Sequence, residues 1–310
     1  MTRTAKAFAP AAISSFFAIH DTQRRESIKD FEKIGAVGGG FGLQLGVHTK
    51  VTVEESQKNN IAIFINKKQA ENAKTTLHVV KALLEKKGEK YDVTVEHDIE
   101  VPVGSGFGTS AGGALTSGLA LAEVLEIPLT FNQIGKIAHV AEIVCQTGLG
   151  TVSSLTQSGG CVLVTKPGAP GTCQIDRIPI SLKLALVIGH VQSVSKKPVL
   201  SSLKRKKEIN NAGRATLQAI LAKPTLQNFL DCCWSFSQNA GFATPKVRAL
   251  VSAAKKAGAI GAAQNMIGET VHAVVHEENV DCVAETFKHI LPSKQVLISK
   301  IDFQGVRLVK

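Results

Sequence analysis

Two hydrophobic periods alternate along the chain. Runs of period two rich in β-branched residues, at 43–54, 60–66 and 91–97, predict strands. Residues 68–87 instead repeat apolar side chains at helical spacing (Ala70, Ala73, Leu77, Val80, Leu84) and stop at Gly88, a glycine suited to a helix C-terminus. The apolar stretch 110–125 predicts a helix ending near Pro128, and a second helix over 130–145 opens on the capping residue Thr130. A loop at 147–151 leads to a short helix and a strand over 160–165. Two prolines and two glycines within 166–171 predict a turn, and Pro179 marks another break. Beyond it the pattern predicts strands at 184–189, 259–264, 271–276 and 296–302, with helices at 204–222, 225–238, 245–256 and 280–290. Antiparallel strands with helices packed on one side suit an α+β class. The domain junction is expected near 180, dividing the chain into 1–180 and 181–310.

Composition narrows the classes. A chain of 310 residues with 44% hydrophobic and 20% charged residues is ordinary globular material, long enough for two cores. The apolar residues 7–19 follow Arg3 and Lys6 in a faint imitation of a signal peptide, but Pro10 interrupts them, so a buried first strand and turn is expected. No stretch approaches the ~20 apolar residues of a membrane span, so no membrane partner is expected. The 36 basic against 25 acidic residues give +11, a charge that suits nucleic acid, an anionic membrane or small anions. Aromatics are only 5% and the basic residues are spread out, which argues against a nucleic-acid partner. Six cysteines form no C-x-x-C pair, so neither a zinc site nor a disulfide framework is expected, and a reducing cytoplasm fits.

The chemistry concentrates at 101–113. Gly104, Gly106 and Gly108 allow the backbone close to a phosphate, the hydroxyls of Thr109 and Ser110 follow, and then a helix begins. Unpaired N–H groups and the positive end of the helix dipole favour an anion there. The run has no lysine where a G-x-x-x-x-G-K-[ST] loop needs one. Its third glycine is misplaced for a dinucleotide fingerprint, and no strand-closing acid stands ~20 positions on. On the residues alone, a tight structural turn remains an alternative.

The string Pro102-Val103-Gly104-Ser105-Gly106-Phe107-Gly108-Thr109-Ser110-Ala111 resembles the second motif of the GHMP kinases. Ala9-Pro10 resembles their first motif, and the run 258–263 is a worn version of their third. That likeness implies an α+β fold of two sandwich-type domains with largely antiparallel sheets and the active site between them. It implies ATP held by Pro102 and the residues from Gly104 to Ala111, with Ser110 joining Mg²⁺ coordination. Small members of the superfamily are often dimers, so a homodimer is an expectation.

Longer strings look like archaeal pantoate kinases: Ala9 to Phe17, Ile137 to Glu142, Thr147 to Gly150 and Lys166 to Pro170. The resemblance implies that His139 contacts the substrate and Glu142 completes the magnesium site; at i, i+3 they share a helix face. The blander readings are a core histidine and a solvated charge. The departures lie on the acceptor side. Thr151 stands where an Asp is usual, and Ala36-Val37 where Ser-Arg is usual. The arginine expected within 161–165, implied to bind the pantoate carboxylate, is missing. Losing such a pair costs several kcal/mol. Thr151 is kept with Ser110 and Glu142 as a catalytic candidate, since phosphoryl transfer relies mostly on positioning and charge neutralisation. Ala36, His139 and Lys197 are the substrate-binding candidates, with Lys196 and Arg214 as further cations.

A rebuilt acceptor side on a basic chain points, by substrate analogy, to mevalonate 3-phosphate phosphorylated at its 5-hydroxyl. That reading is placed just ahead of pantoate itself. A catalytically inactive ligand-binding homologue is the alternative of another class. Either way the partner expected is a small anionic hydroxy acid.

Overall fold

The computed structural model describes residues 1–23, 26–157, 159–192 and 202–310. Lys196 and Lys197 lie outside the described residues. The elements in chain order begin with strand β1 (Arg3–His20), a small hairpin of β2 (Thr22–Gln23) and β3 (Glu26–Ser27), and the long strand β4 (Gly35–Glu55). Next come β5 (Asn60–Ile65), β6 (Lys68–Gln69), helix α1 (Lys74–Lys87) and β7 (Tyr91–Ile99). Helices α2 (Thr109–Val124), α3 (Phe131–Cys145) and α4 (Thr151–Gln157) lead to β8 (Cys161–Lys166) and β9 (Gln174–Ile178). The second half holds β10 (Leu184–Gln192), α5 (Leu203–Ala222), α6 (Leu226–Asn239), α7 (Pro245–Lys256), β11 (Gly261–Asn265), β12 (Glu269–His276), α8 (Val280–Lys288), β13 (Val296–Lys300) and β14 (Arg307–Val309).

Among the described residues there are an eight-stranded sheet in the order β14-β1-β4-β7-β5-β6, with β8 attached to β4 and β9 to β8, and a four-stranded sheet β11-β12-β10-β13. Pairing is antiparallel except between β5 and β7. The long β4 divides its edge: Gly38 to Phe41 pair with β8, and Val47 to Glu55 pair with β7. Glycines make the first half possible, because a Cβ on Gly40 would lie 1.7 Å from the Ile13 carbonyl oxygen.

Period two explains why β10 reads as unbroken apolar sequence. Leu184, Leu186 and Ile188 face a core shared with Ile13, Phe16 and Phe41 of the larger sheet, while Ala185 and Val187 pack with α7 and α8. The helix signals hold at their ends. Gly88 closes α1 in the left-handed conformation (φ 82°), and Thr130 makes a reciprocal capping box with Gln133 ahead of α3. The expected helix 68–87 is shorter, since Lys68 and Gln69 form β6 instead, and β9 carried no sequence signal. The expected second unit 181–310 needs amending at its last residues, because β14 crosses back to pair with β1. Antiparallel register with the first strand outweighs sequence distance there. Among the described residues, no helix is long and apolar enough to cross a membrane.

Beneath α2 lies a buried polar knot. His97 Nδ1 is 2.7 Å from Thr49 Oγ1 and its Nε2 is 3.1 Å from Thr76 Oγ1, while Thr116 Oγ1 on α2 meets Thr49 Oγ1. Burial pushes the His97 pKa down to about 4 and that of His272 down to about 3. Both imidazoles are therefore neutral when folded and bind protons more readily once unfolded. Their stabilisation is complete above the ordinary pKa of 6.5 and is lost as pH falls toward 4. Urea denaturation should show stability declining from pH 7 to 4.5, on the order of 3 kcal/mol from His97, and His97→Gln should flatten the slope. An unchanged slope in that variant would remove His97 as the cause.

Candidate active site

The loop between β7 and α2 turns on Gly104, Gly106 and Gly108, whose φ angles are 77°, 85° and 64°. Side chains are strained in that region, so the glycines are a requirement of the path. Gly108 is also the N-cap of α2, and no side chain caps the helix there. Its first-turn N–H groups therefore remain available to an anion.

Three contacts from distant segments hold the loop. The Ala12 N–H donates to the Phe107 carbonyl at 2.9 Å. Asn265, at the end of β11, donates from Nδ2 to the Gly106 carbonyl at 3.2 Å and accepts the Ser14 N–H on Oδ1 at 2.8 Å. His190 Nε2 lies 3.3 Å from Ser105 Oγ, and its Nδ1 lies 2.9 Å from Thr270 Oγ1. Ser105 and Phe107 are buried, so these two expected cofactor contacts anchor the loop through their side chains. Pro102 and Thr109 are half-buried, and Ala111 is buried on the helix.

Ser110 on α2 and Glu142 on α3 meet: Ser110 Oγ donates to Glu142 Oε1 at 2.6 Å. Thr147 Oγ1 donates to the same oxygen at 2.6 Å, and Thr75 Oγ1 lies 3.2 Å from Ser110 and 3.1 Å from Thr147. The result is a ring of three hydroxyls around a carboxylate that is 3% exposed. A Cβ on Gly148 would sit 2.0 Å from Glu142 Oε2, which ties that glycine to the carboxylate's position. Among the described residues no group of three or more His, Cys, Asp or Glu side chains could hold a metal. One carboxylate beside a hydroxyl is nonetheless the oxygen donor set that suits Mg²⁺ shared with nucleotide phosphates. Thr75 and Thr147 have roles that sequence reasoning missed. Thr147 stood inside a recognised string, while nothing in the sequence linked Thr75 to Ser110.

Thr151 opens α4 beside the loop, with its Cγ2 2.7 Å from where a Cβ on Gly108 would be. It lines a cavity of about 390 Å³ together with Ala36, Val37, Val162, Val164 and Phe17. No acidic, basic or histidine side chain lines that cavity among the described residues. His139 does not reach it. That side chain is 1% exposed, its Nε2–H donates to the Ile34 carbonyl at 2.9 Å, and burial lowers its pKa. It braces the chain just before Ala36. Arg214 lies on α5, at a second cavity.

The Asn265 bridge generates a prediction. Asn265→Ala leaves the Gly106 carbonyl and the Ser14 N–H without their partner, at about 1–3 kcal/mol. Calorimetric titration with a non-hydrolysable ATP analogue should show roughly ten-fold weaker binding; wild-type affinity would mean that the loop holds without the bridge.

A family profile for the GHMP kinases N terminal domain matches residues 74–156, from α1 to α4, and so takes in the loop and all four members of the hydroxyl–carboxylate ring. Pantoate kinase from Methanocaldococcus jannaschii is 28% identical over 285 residues, covering 91% of this chain and 97% of that protein. Mevalonate kinase from Pyrococcus abyssi is 26% identical over 215 residues, covering 63% of this chain and 62% of that one. A solved structure described as a phosphotransferase related to the CoA biosynthesis pathway superposes with a TM-score of 0.86 at 25% identity, covering 99% and 98% of the two chains. The chain carries a GHMP kinase N-terminal domain, is a homologue of the pantoate and mevalonate kinases, and is an ATP-dependent kinase.

Proposed function

We propose that this kinase transfers the γ-phosphoryl group of ATP to the primary hydroxyl of pantoate. The observation that carries the reading is the extent of the likeness: the pantoate kinase match covers 97% of that protein, against 62% for the mevalonate kinase. The mevalonate 3-phosphate reading, first in the sequence analysis, has less support and moves to second place. Pantoate carries two methyl groups beside its primary alcohol, and Val37, Val162 and Val164 offer them an apolar wall.

The residues divide the work. The glycine loop and the α2 N-terminus hold the triphosphate through backbone N–H groups. Ser110 and Glu142 would hold Mg²⁺, which when bound supplies charge neutralisation at the phosphates. Thr147 and Thr75 keep the Glu142 carboxylate turned toward Ser110. Thr151 can position the acceptor hydroxyl but cannot take its proton at neutral pH, and no other cavity-lining residue described is a base. A loose transition state places little demand on a base, so alignment and charge neutralisation dominate.

An ADP-release assay with ATP and Mg²⁺ over pantoate, mevalonate, mevalonate 3-phosphate, homoserine and shikimate should give the highest kcat/KM with pantoate. Turnover of mevalonate 3-phosphate without pantoate would reverse the order of the two readings. Ser110→Ala and Glu142→Gln should each lower kcat by about 10²–10³-fold, the scale for losing one charge-stabilising group. Near-normal kcat in either variant would remove that residue from the site.

A further inference from the structure

An acid acceptor raises a problem that the first cavity does not answer. Its described lining holds no cation, and the strand where a carboxylate-binding arginine is expected reads Cys161-Val162-Leu163-Val164-Thr165. A carboxylate enclosed there without a partner would be costly. Directly adjoining it is a second cavity of about 710 Å³, and Ile19 and Val37 form walls of both.

The second cavity is basic. Lys33, Lys166 and Arg214 line it, with His20, and no acidic residue does among those described. The three cations come from the turn before β4, the end of β8 and the middle of α5. Val162 and Val164 of β8 face the first cavity, and Lys166, just past a register shift in the pairing with β9, lines the second. Lys33 shares its charge with Asp30 at 3.2 Å, and Arg214 has Asn211 Oδ1 at 3.4 Å. Lys166 pairs with Gln174 through the β8–β9 ladder, and its exposed side chain has no ion pair with a described residue. The span from the reacting end is short. Thr151 follows Gly150, and a Cβ on Gly150 would lie 3.5 Å from Ala36 Cβ, next to the shared wall residue Val37.

We infer that the acid group of the acceptor, a carboxylate or a phosphate ester in its place, is bound at this second cavity by Lys166 and Arg214, with Lys33 adding to the field. The acceptor's apolar body lies across Val37 and its hydroxyl end lies toward Thr151. The inference rests on the hydroxy-acid kinase reading. It relocates carboxylate recognition from the middle of β8 to its end, one residue past the run where the arginine is missing. Each cation is exposed, so single losses are moderate and charge reversal is the sharper probe.

Lys166→Glu and Arg214→Glu should each raise KM for pantoate at least ten-fold, with kcat and KM for ATP within about two-fold of wild type. Lys166→Arg should stay near wild type. The primary amide of the same acid, assayed at high concentration, should be equally poor with wild type and both charge reversals. Equal losses for acid and amide, or an unchanged KM for the acid, would overturn the inference. If no acceptor on the panel turns over, the kinase reading fails separately. Calorimetric titration with pantoate, mevalonate 3-phosphate and inorganic phosphate then tests the cavity by itself. Binding by wild type that is lost in Lys166→Glu supports it, and absence of binding or equal binding by both overturns it.

Discussion

A loop that offers its backbone N–H groups to an anion works only if its path is held elsewhere, and here three segments remote in sequence hold it, two of them through its carbonyls. Ala12 takes the Phe107 carbonyl and Asn265 takes that of Gly106, while His190 meets the Ser105 hydroxyl. Asn265 also accepts the Ser14 N–H, so one side chain joins the smaller sheet, the first strand and the loop. Glycines at positive φ give the loop its path but no rigidity, and these contacts supply what the glycines lack. The position of α2, and with it Ser110, follows from that anchoring.

The donor and acceptor sides are built from different material. Around Ser110 the structure collects three hydroxyls beside one buried carboxylate, two of them bonded to it at 2.6 Å and the third bridging those two. Across the cavity, strands β4 and β8 present small and β-branched residues that shape space without adding charge. The charge reappears only where the cavity walls end, at Lys166, Lys33 and Arg214. Thr151 lies where the two materials meet. A titrating side chain there is dispensable in a phosphoryl transfer whose transition state is loose.

Legibility followed the range of the interactions. The capping box at Thr130, the left-handed Gly88 and the period-two strands are all local, and each was readable from a few neighbouring residues. The pairing of Ser110 with Glu142 was suggested by resemblance alone, while helical spacing linked Glu142 to His139. His139 illustrates the limit of that spacing. It sits three residues before Glu142 and is buried on the same helix, yet a rotation along the helix axis turns it to the Ile34 carbonyl and away from the cavity. Nor did any local pattern mark Thr75, whose partner Ser110 is 35 residues on, or β14, which pairs with the first strand of the chain.

By itself the sequence determined most of the elements and the glycine-rich path of the loop ahead of α2. Those depend on backbone conformation and residue type within short windows, where glycine, proline and capping side chains leave local marks. Only the tertiary structure decided which side chains share a space: the hydroxyl ring on Glu142, the uncharged lining of the first cavity and the basic lining of the second. Those are set by the register of β1 against β4 and of β8 against β4, and by α5 contributing to the wall of the second cavity. A one-residue change in any of these registers would turn different side chains inward, and no short stretch of sequence carries that information.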